Sequence, residues 1–172
     1  MSADDFGRRD LIKVTAGAVI AAKTVRGDGH KFFTADEWAL ADELSEMIIP
    51  VDEKSGGARA AMVADYIDSR LAEAFGHDER DAWREGLKRI DALSVEISGV
   101  PFLKSTPEQR HALMTRISAS EKNPAKIEEK FFVRLKRDTI HAYYTSKIGI
   151  HDEMDYKGNV YQQGEYAGYL PD

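Results

Sequence analysis

The sequence predicts an all-α fold: an irregular bundle of five to six helices followed by an irregular, aromatic-rich C-terminal tail. Three observations carry that prediction. Apolar residues recur three and four apart in segment after segment, the period of a helix with one buried face. Glycine, proline and hydroxyl residues stand between these segments, where helices start and stop. The sequence has no long apolar–polar alternation, the mark of a half-buried strand.

Residues 1–30 read as a leader and linker, set apart from a helical domain over residues 31–172. Arg8-Arg9, polar Asp10, apolar Leu11 and Ile12, and Lys13 have the order of a twin-arginine export signal. A mildly apolar stretch over 14–22 follows and contains the small-x-small group Ala16-Gly17-Ala18. This stretch falls short of the roughly 20 residues that span a bilayer. A targeting segment is set aside before the fold is reasoned. The expected location is the periplasm.

The first helix opens at Thr34-Ala35-Asp36-Glu37, a capping box in which hydroxyl and carboxylate each satisfy a free backbone N–H. Ala39, Leu40, Leu44, Met47 and Ile48 follow at helical spacing, and Pro50, which lacks an N–H, stops the helix. Gly56-Gly57 reads as a loop. A second helix is expected over 58–75, with Val63, Ile67, Leu71 and Phe75 on one face and Gly76 as terminator. A third is expected over 79–98, with Trp83, Leu87, Ile90 and Ile97 buried and Gly99 and Pro101 closing it. Thr106-Pro107-Glu108 starts a fourth, since proline is tolerated in the first turn. Its apolar positions are Leu113, Met114 and Ile117. Asn123-Pro124 signals a fifth, on which Ile127, Phe131, Leu135, Thr139 and Tyr143 form a row and Gly149 is the expected end. Periodicity then fails: residues 151–172 carry Tyr156, Tyr161, Tyr166 and Tyr169 among glycines.

Composition narrows the function. The chain has 172 residues, 42 % hydrophobic and 31 % charged, which suits one soluble globular domain. Its formal net charge of −6 argues against a nucleic-acid partner. With no cysteine, disulfides, cysteine zinc sites, iron–sulfur ligation and CxxCH haem attachment are all excluded. No Rossmann or Walker glycine pattern and no GxSxG elbow is present. The five histidines form neither HExxH nor an ExxH pair. The densest polar cluster, His151-Asp152-Glu153-Met154-Asp155 with Asn159 beyond, lacks EF-hand spacing and reads better as a solvated or interface loop than as a metal site. No cofactor-binding, metal or catalytic residue is therefore expected in this chain. Twin-arginine export carries folded cargo, often already loaded with a cofactor, so the cofactor is expected on a partner that travels with it.

Tyrosine combines large contact area with a hydroxyl and suits interfaces. The candidate partner surface is Tyr143, Tyr144, Ser146, Gly149, Tyr156, Asn159, Tyr166 and Tyr169. Adjacent Tyr143 and Tyr144 point about 100° apart on a helix, so one can enter the bundle while the other faces out. A tail that wraps its own bundle is the competing reading.

The body of the chain resembles the subunit 3 family of gluconate 2-dehydrogenase. One block of resemblance is Phe33-Thr34-Ala35-Asp36-Glu37, Met47-Ile48-Ile49-Pro50, Gly57-Ala58-Arg59-Ala60-Ala61 and Tyr66-Ile67-Asp68. The more specific block is Phe131-Phe132, the run Thr139-Ile140-His141-Ala142-Tyr143-Tyr144-Thr145-Ser146-Lys147-Ile148-Gly149, and Tyr156-Lys157-Gly158-Asn159. Relatives often carry proline-glycine-cysteine near the end, where this chain has Tyr166-Ala167-Gly168-Tyr169-Leu170-Pro171. The resemblance implies a small, non-catalytic subunit exported with a flavin-dependent large subunit. The large subunit would hold FAD and oxidise a sugar or sugar derivative, with a cytochrome c or quinone as electron acceptor and membrane association through partners. Two other classes are weighed beside it: a periplasmic sugar-binding module whose tyrosines stack on rings, and a free-standing metal-dependent enzyme built around His141, His151 and Asp152.

Overall fold

The computed structural model describes residues 29–156, and they form an all-α, irregular bundle. The α-helices are α1 (Ala35–Ile48), α2 (Gly57–Ala60), α3 (Val63–Glu73), α4 (His77–Ser98), α5 (Pro107–Ser118) and α6 (Ile127–Tyr144). A 3₁₀ turn at Phe102–Lys104 links α4 to α5, and a π turn at Gly149–Glu153 follows α6. Among the described residues there is no strand, and no helix is long and apolar enough to cross a membrane.

Several starts and stops fall where the sequence puts them. Thr34 and Thr106 each form a capping box, with Glu37 and Gln109 respectively, and Pro107 occupies the first turn of α5. Gly99 ends α4 in the left-handed conformation, at φ 75°. Other boundaries move. The expected second helix is two, because Met62 adopts φ 54° between α2 and α3. Gly76 does not terminate α3, which ends at Glu73; it is instead the N-cap of α4, which begins two residues before the expected start. The helix expected from Asn123-Pro124 starts later, at Ile127, because Glu129 Oε2 accepts from the N–H of Ala125 at 2.9 Å and of Lys126 at 3.0 Å. Gly149 does not end α6. That helix stops at Tyr144, where Thr145 Oγ1 donates to the His141 carbonyl at 2.7 Å and Ser146 Oγ to the Tyr143 carbonyl at 2.6 Å.

α6 runs through the centre and packs against α1, α3, α4 and α5. Phe131, Leu135, Thr139 and Tyr143 are buried as expected, whereas Ile127, in its first turn, is half exposed. A strict four-residue spacing turns about 40° per step around a helix, so the ends of a long row leave the face on which it starts. The same drift, with the helix already ended, leaves Phe75 fully exposed while Val63, Ile67 and Leu71 are buried. Ile97 is exposed as well, because Leu93 and Ser94 form the side of α4 that the following turn covers, with Ser94 Oγ donating to the Val100 carbonyl at 2.9 Å.

Where α4 crosses α6, Gly86 removes a side chain. A Cβ there would lie 2.0 Å from Phe131 Cδ2, so the glycine lets the Phe131 ring rest on the α4 backbone. Phe131 meets Trp83 edge-on at 5.3 Å between centroids, and Trp83 Nε1 donates to Asp138 at 3.0 Å. A second buried carboxylate fixes the entry to the domain. Asp68 on α3 accepts from the backbone N–H groups of Lys31, Phe32 and Phe33 at 2.7, 3.0 and 2.7 Å.

Candidate functional site

The C-terminal end of α6 brings several of the sequence-predicted interface residues together. Tyr143 and Tyr144 diverge: Tyr143 is 1 % exposed and Tyr144 40 %. Their rings meet edge-on, 5.2 Å between centroids. The Tyr143 hydroxyl and Ser55 Oγ share a short hydrogen bond in the interior. Ser55 is held in turn by Asp52, whose Oδ1 accepts from the Ser55 and Lys54 N–H groups at 2.8 Å each. Those two backbone bonds keep the Asp52 carboxyl below its ordinary range.

Ser146 and Gly149 act as one turn. Ser146 Oγ donates to the Tyr143 carbonyl and accepts from the Gly149 N–H at 3.0 Å. A Cβ on Gly149 would stand 2.1 Å from the Tyr143 carbonyl oxygen, so only glycine lets the chain approach α6 this closely. The π turn over 149–153 replaces the irregular chain expected from residue 151 onward. Asp155, at φ 49°, then turns the backbone, and the Tyr156 N–H donates to the Ile150 carbonyl at 3.0 Å. Tyr156 is left 51 % exposed. Asn159, Tyr166 and Tyr169, like Arg8, Arg9, Leu11 and Lys13 of the expected export signal, lie outside the described residues.

Beside this end of α6 runs a groove of about 590 Å³, bounded on the other side by the α2–α3 junction. Met62, Tyr66 and Ile148 give it apolar walls, the small Ala60, Ala61 and Ala142 leave it room, and Asp65 and Lys147 also line it. The Tyr66 ring lies 6.0 Å from that of His141. A larger hollow of about 870 Å³ lies between α1, α4 and the 3₁₀ turn, with Leu40, Leu87 and Leu103 among charges of both signs. Among the described residues, no group of three or more histidines and carboxylates is placed to hold a metal, and His151 Nδ1 faces the Tyr156 carbonyl at 3.2 Å.

Sequence reasoning missed Asp52, Ser55, Met62, Asp65 and Asp68. Asp52 and Ser55 carry a local signal, an Asp whose side chain bonds backbone two and three residues on before a Gly-Gly pair. Asp68 meets its partners across more than thirty residues of chain, and no local pattern announces that.

A family model described as gluconate 2-dehydrogenase subunit 3 matches residues 35–162, most of the chain. The chain belongs to the gluconate 2-dehydrogenase subunit 3 family. The matched span takes in all six α-helices, the Tyr143–Gly149 turn and Tyr156. No curated protein and no solved structure matches the chain.

Proposed function

We propose that this member of the gluconate 2-dehydrogenase subunit 3 family is a non-catalytic accessory subunit. It binds and stabilises an FAD-dependent sugar or glucoside dehydrogenase of the glucose–methanol–choline type and travels with it across the membrane by the twin-arginine route. FAD and hydride transfer belong to the large subunit, and a cytochrome c or quinone takes the electrons. The observation that carries this reading is the family match over 35–162. The exposed Tyr144 and Tyr156 support it, since aromatic anchors dominate many interfaces.

The decisive experiment is purification of the tagged full chain from its native periplasm, with absorbance spectra and dye-reduction assays of what elutes. The reading requires a flavin spectrum and sugar oxidation in the complex and neither in the chain expressed alone; a stoichiometric flavin on the isolated chain overturns it. The export half is tested separately. Arg8→Lys with Arg9→Lys is expected to hold both subunits in the cytoplasm, and normal periplasmic activity in that double variant refutes the route.

A further inference from the structure

α6 carries a basic stripe on its outer side. Lys130, Arg134, Arg137 and His141 follow one another four, three and four residues apart, within an arc of about 60° on the helix. Lys130, Arg137 and His141 are exposed, and Arg134 is half-buried. From residue 130 to the end of α6 the one carboxylate is Asp138, which is buried and accepts from Trp83 Nε1 at 3.0 Å and Arg137 Nε at 2.9 Å. Lys136 lies on another side of the helix, bonded to Glu121 at 2.7 Å. Like charges three and four residues apart destabilise a helix. The helix dipole does not explain them, because it favours cations only in the last turn, and Lys130 and Arg134 stand in the first half of α6.

Neighbouring helices leave the stripe short of negative charge. Arg70 of α3 and Glu79 of α4 reach its middle. Arg70 donates to Glu79 Oε1, while Arg137 Nη2 and Arg134 Nη1 stand 3.7 and 3.8 Å from that same oxygen. Three guanidiniums thus crowd one carboxylate oxygen. Among the described residues Arg134 makes no hydrogen bond and Lys130 no ion pair. Glu73 and Asp78, on either side of the α3–α4 connection, are exposed and pair with none of these cations. Four cations, Arg70, Lys130, Arg134 and Arg137, therefore face two carboxylates, Glu79 and Asp138.

We propose that the outer face of α6 docks a carboxylate-bearing segment of the catalytic flavoprotein, whose acidic side chains bond Lys130 and Arg134 and whose apolar side chains lie on Ile140 and Tyr144. This rests on the accessory-subunit reading and deepens it. The guanidinium fork matches a carboxylate, as Glu79 shows on Arg70 and Asp138 on Arg137. Ile140 and Tyr144 are 38 % and 40 % exposed toward the C-terminal end of the same helix, and arginine beside tyrosine is the pairing that dominates many interfaces. An anionic membrane fits less well, because a bilayer meets the whole chain, whose net charge is −6.

The test compares two double variants of the full chain with equal change of charge. One is Lys130→Gln with Arg134→Gln on the stripe; the other is Arg116→Gln with Lys122→Gln, exposed on α5 and the turn after it. At low salt the stripe variant is expected to lose about tenfold in affinity for the flavoprotein and the control almost nothing, with the gap narrowing near about 0.5 M salt as charges are screened. The melting temperature of the isolated stripe variant is expected to stay level or rise, because like charges have been removed from one face of a helix. A lower melting temperature means that carboxylates of this chain already use the two cations, and overturns the proposal. Equal loss in both variants means that net charge alone steers the partner, and overturns it too. Unchanged affinity overturns it while leaving the accessory role standing; if phosphatidylglycerol vesicles then retain the wild-type chain and not the stripe variant, the face belongs to a membrane instead. If the wild-type chain retains no flavoprotein at all, the accessory role itself fails and the inference goes with it.

Discussion

Replacing Asp68 tests how the bundle holds the segment Lys31-Phe32-Phe33 that precedes α1. Its carboxylate accepts three backbone N–H bonds, Phe32 and Phe33 onto Oδ1 and Lys31 onto Oδ2. Hydrogen bonds to a charged group contribute about 1.5–3 kcal/mol each, and a buried donor left without a partner costs about 1–3 kcal/mol. Asp68→Ala strips all three donors, two of them in buried residues, while Lys31 can turn to water. The contributions overlap, so a net loss of roughly 4 kcal/mol is expected. For a chain of this size, about 1 kcal/mol moves the melting temperature by about 2–4 °C, so the fall is roughly 8–16 °C. Asp68→Asn keeps one acceptor oxygen, which can still serve Phe32 and Phe33, and it loses the charge and the Lys31 bond. Its cost is about 2 kcal/mol.

The assay is thermal unfolding by circular dichroism with hydrogen exchange at the amides of Lys31, Phe32 and Phe33. Both variants should exchange faster at these amides, Asp68→Ala most of all, with the amides of α6 protected as in the wild type under native conditions. Asp81→Asn, on the exposed face of α4, serves as the control and should change little. A melt for Asp68→Ala within about 0.5 kcal/mol of wild type refutes the reasoning. Equal cost for alanine and asparagine refutes its graded part.

Gly86→Ala gains about 1 kcal/mol of helix propensity. It also drives a Cβ into the Phe131 ring, with overpacking at about 1–3 kcal/mol and an edge-on Trp83 contact disturbed at about 0.5–1.5 kcal/mol. The expected net is a loss of about 1–3 kcal/mol with an altered near-ultraviolet signal from Trp83, and a higher melting temperature contradicts the packing described. For Glu128, the hydrogen bond from Arg89 outweighs burial and holds the carboxyl below its ordinary value of 4.5. The unfolded chain therefore takes up the proton first as pH falls, so the stabilisation is full above the ordinary value and is lost as pH drops through the folded one. The difference in melting temperature between wild type and Glu128→Gln should be level from neutral pH to about 5.5 and close below it; a gap that widens in acid reverses the sign and refutes the claim. Tyr144→Ala and Tyr156→Ala should each weaken assembly with the flavoprotein about tenfold or more with an almost unchanged melt of the isolated chain, measured by interferometry and calorimetry. Lost stability with intact assembly would return both rings to a purely structural role.

The helices were legible where a local rule decides them. The Thr34 box, the Thr106-Pro107 start, the stop before Pro50 and the glycine end of α4 all act within four residues of chain. Boundaries without a glycine, proline or hydroxyl cap to mark them were not legible. Glu129 moves the start of α6, and no glycine or proline marks the left-handed Met62 that divides α2 from α3. Row patterns gave the middle of each buried face and misjudged its ends, as Phe75, Ile97 and Ile127 show. At the candidate site, the divergence of Tyr143 and Tyr144 follows from helical geometry alone. The Ser55 contact depends on distant segments meeting, which composition and spacing do not encode.

The same contacts bear on the proposal that this end of α6 receives a partner. A docking surface that must order itself on binding loses affinity to the entropy of that ordering. Here the constraints are internal. Ser55 ties Tyr143 into the core, Ser146 bridges the last turn of α6 to Gly149, and Gly149 has no side chain to hold the chain away from the Tyr143 carbonyl. Tyr144 extends outward from the helix whose other face those bonds secure, and Tyr156 is fixed by its backbone bond to Ile150. The exposed rings thus stand on backbone that is already immobilised, so a partner would meet a largely preformed surface.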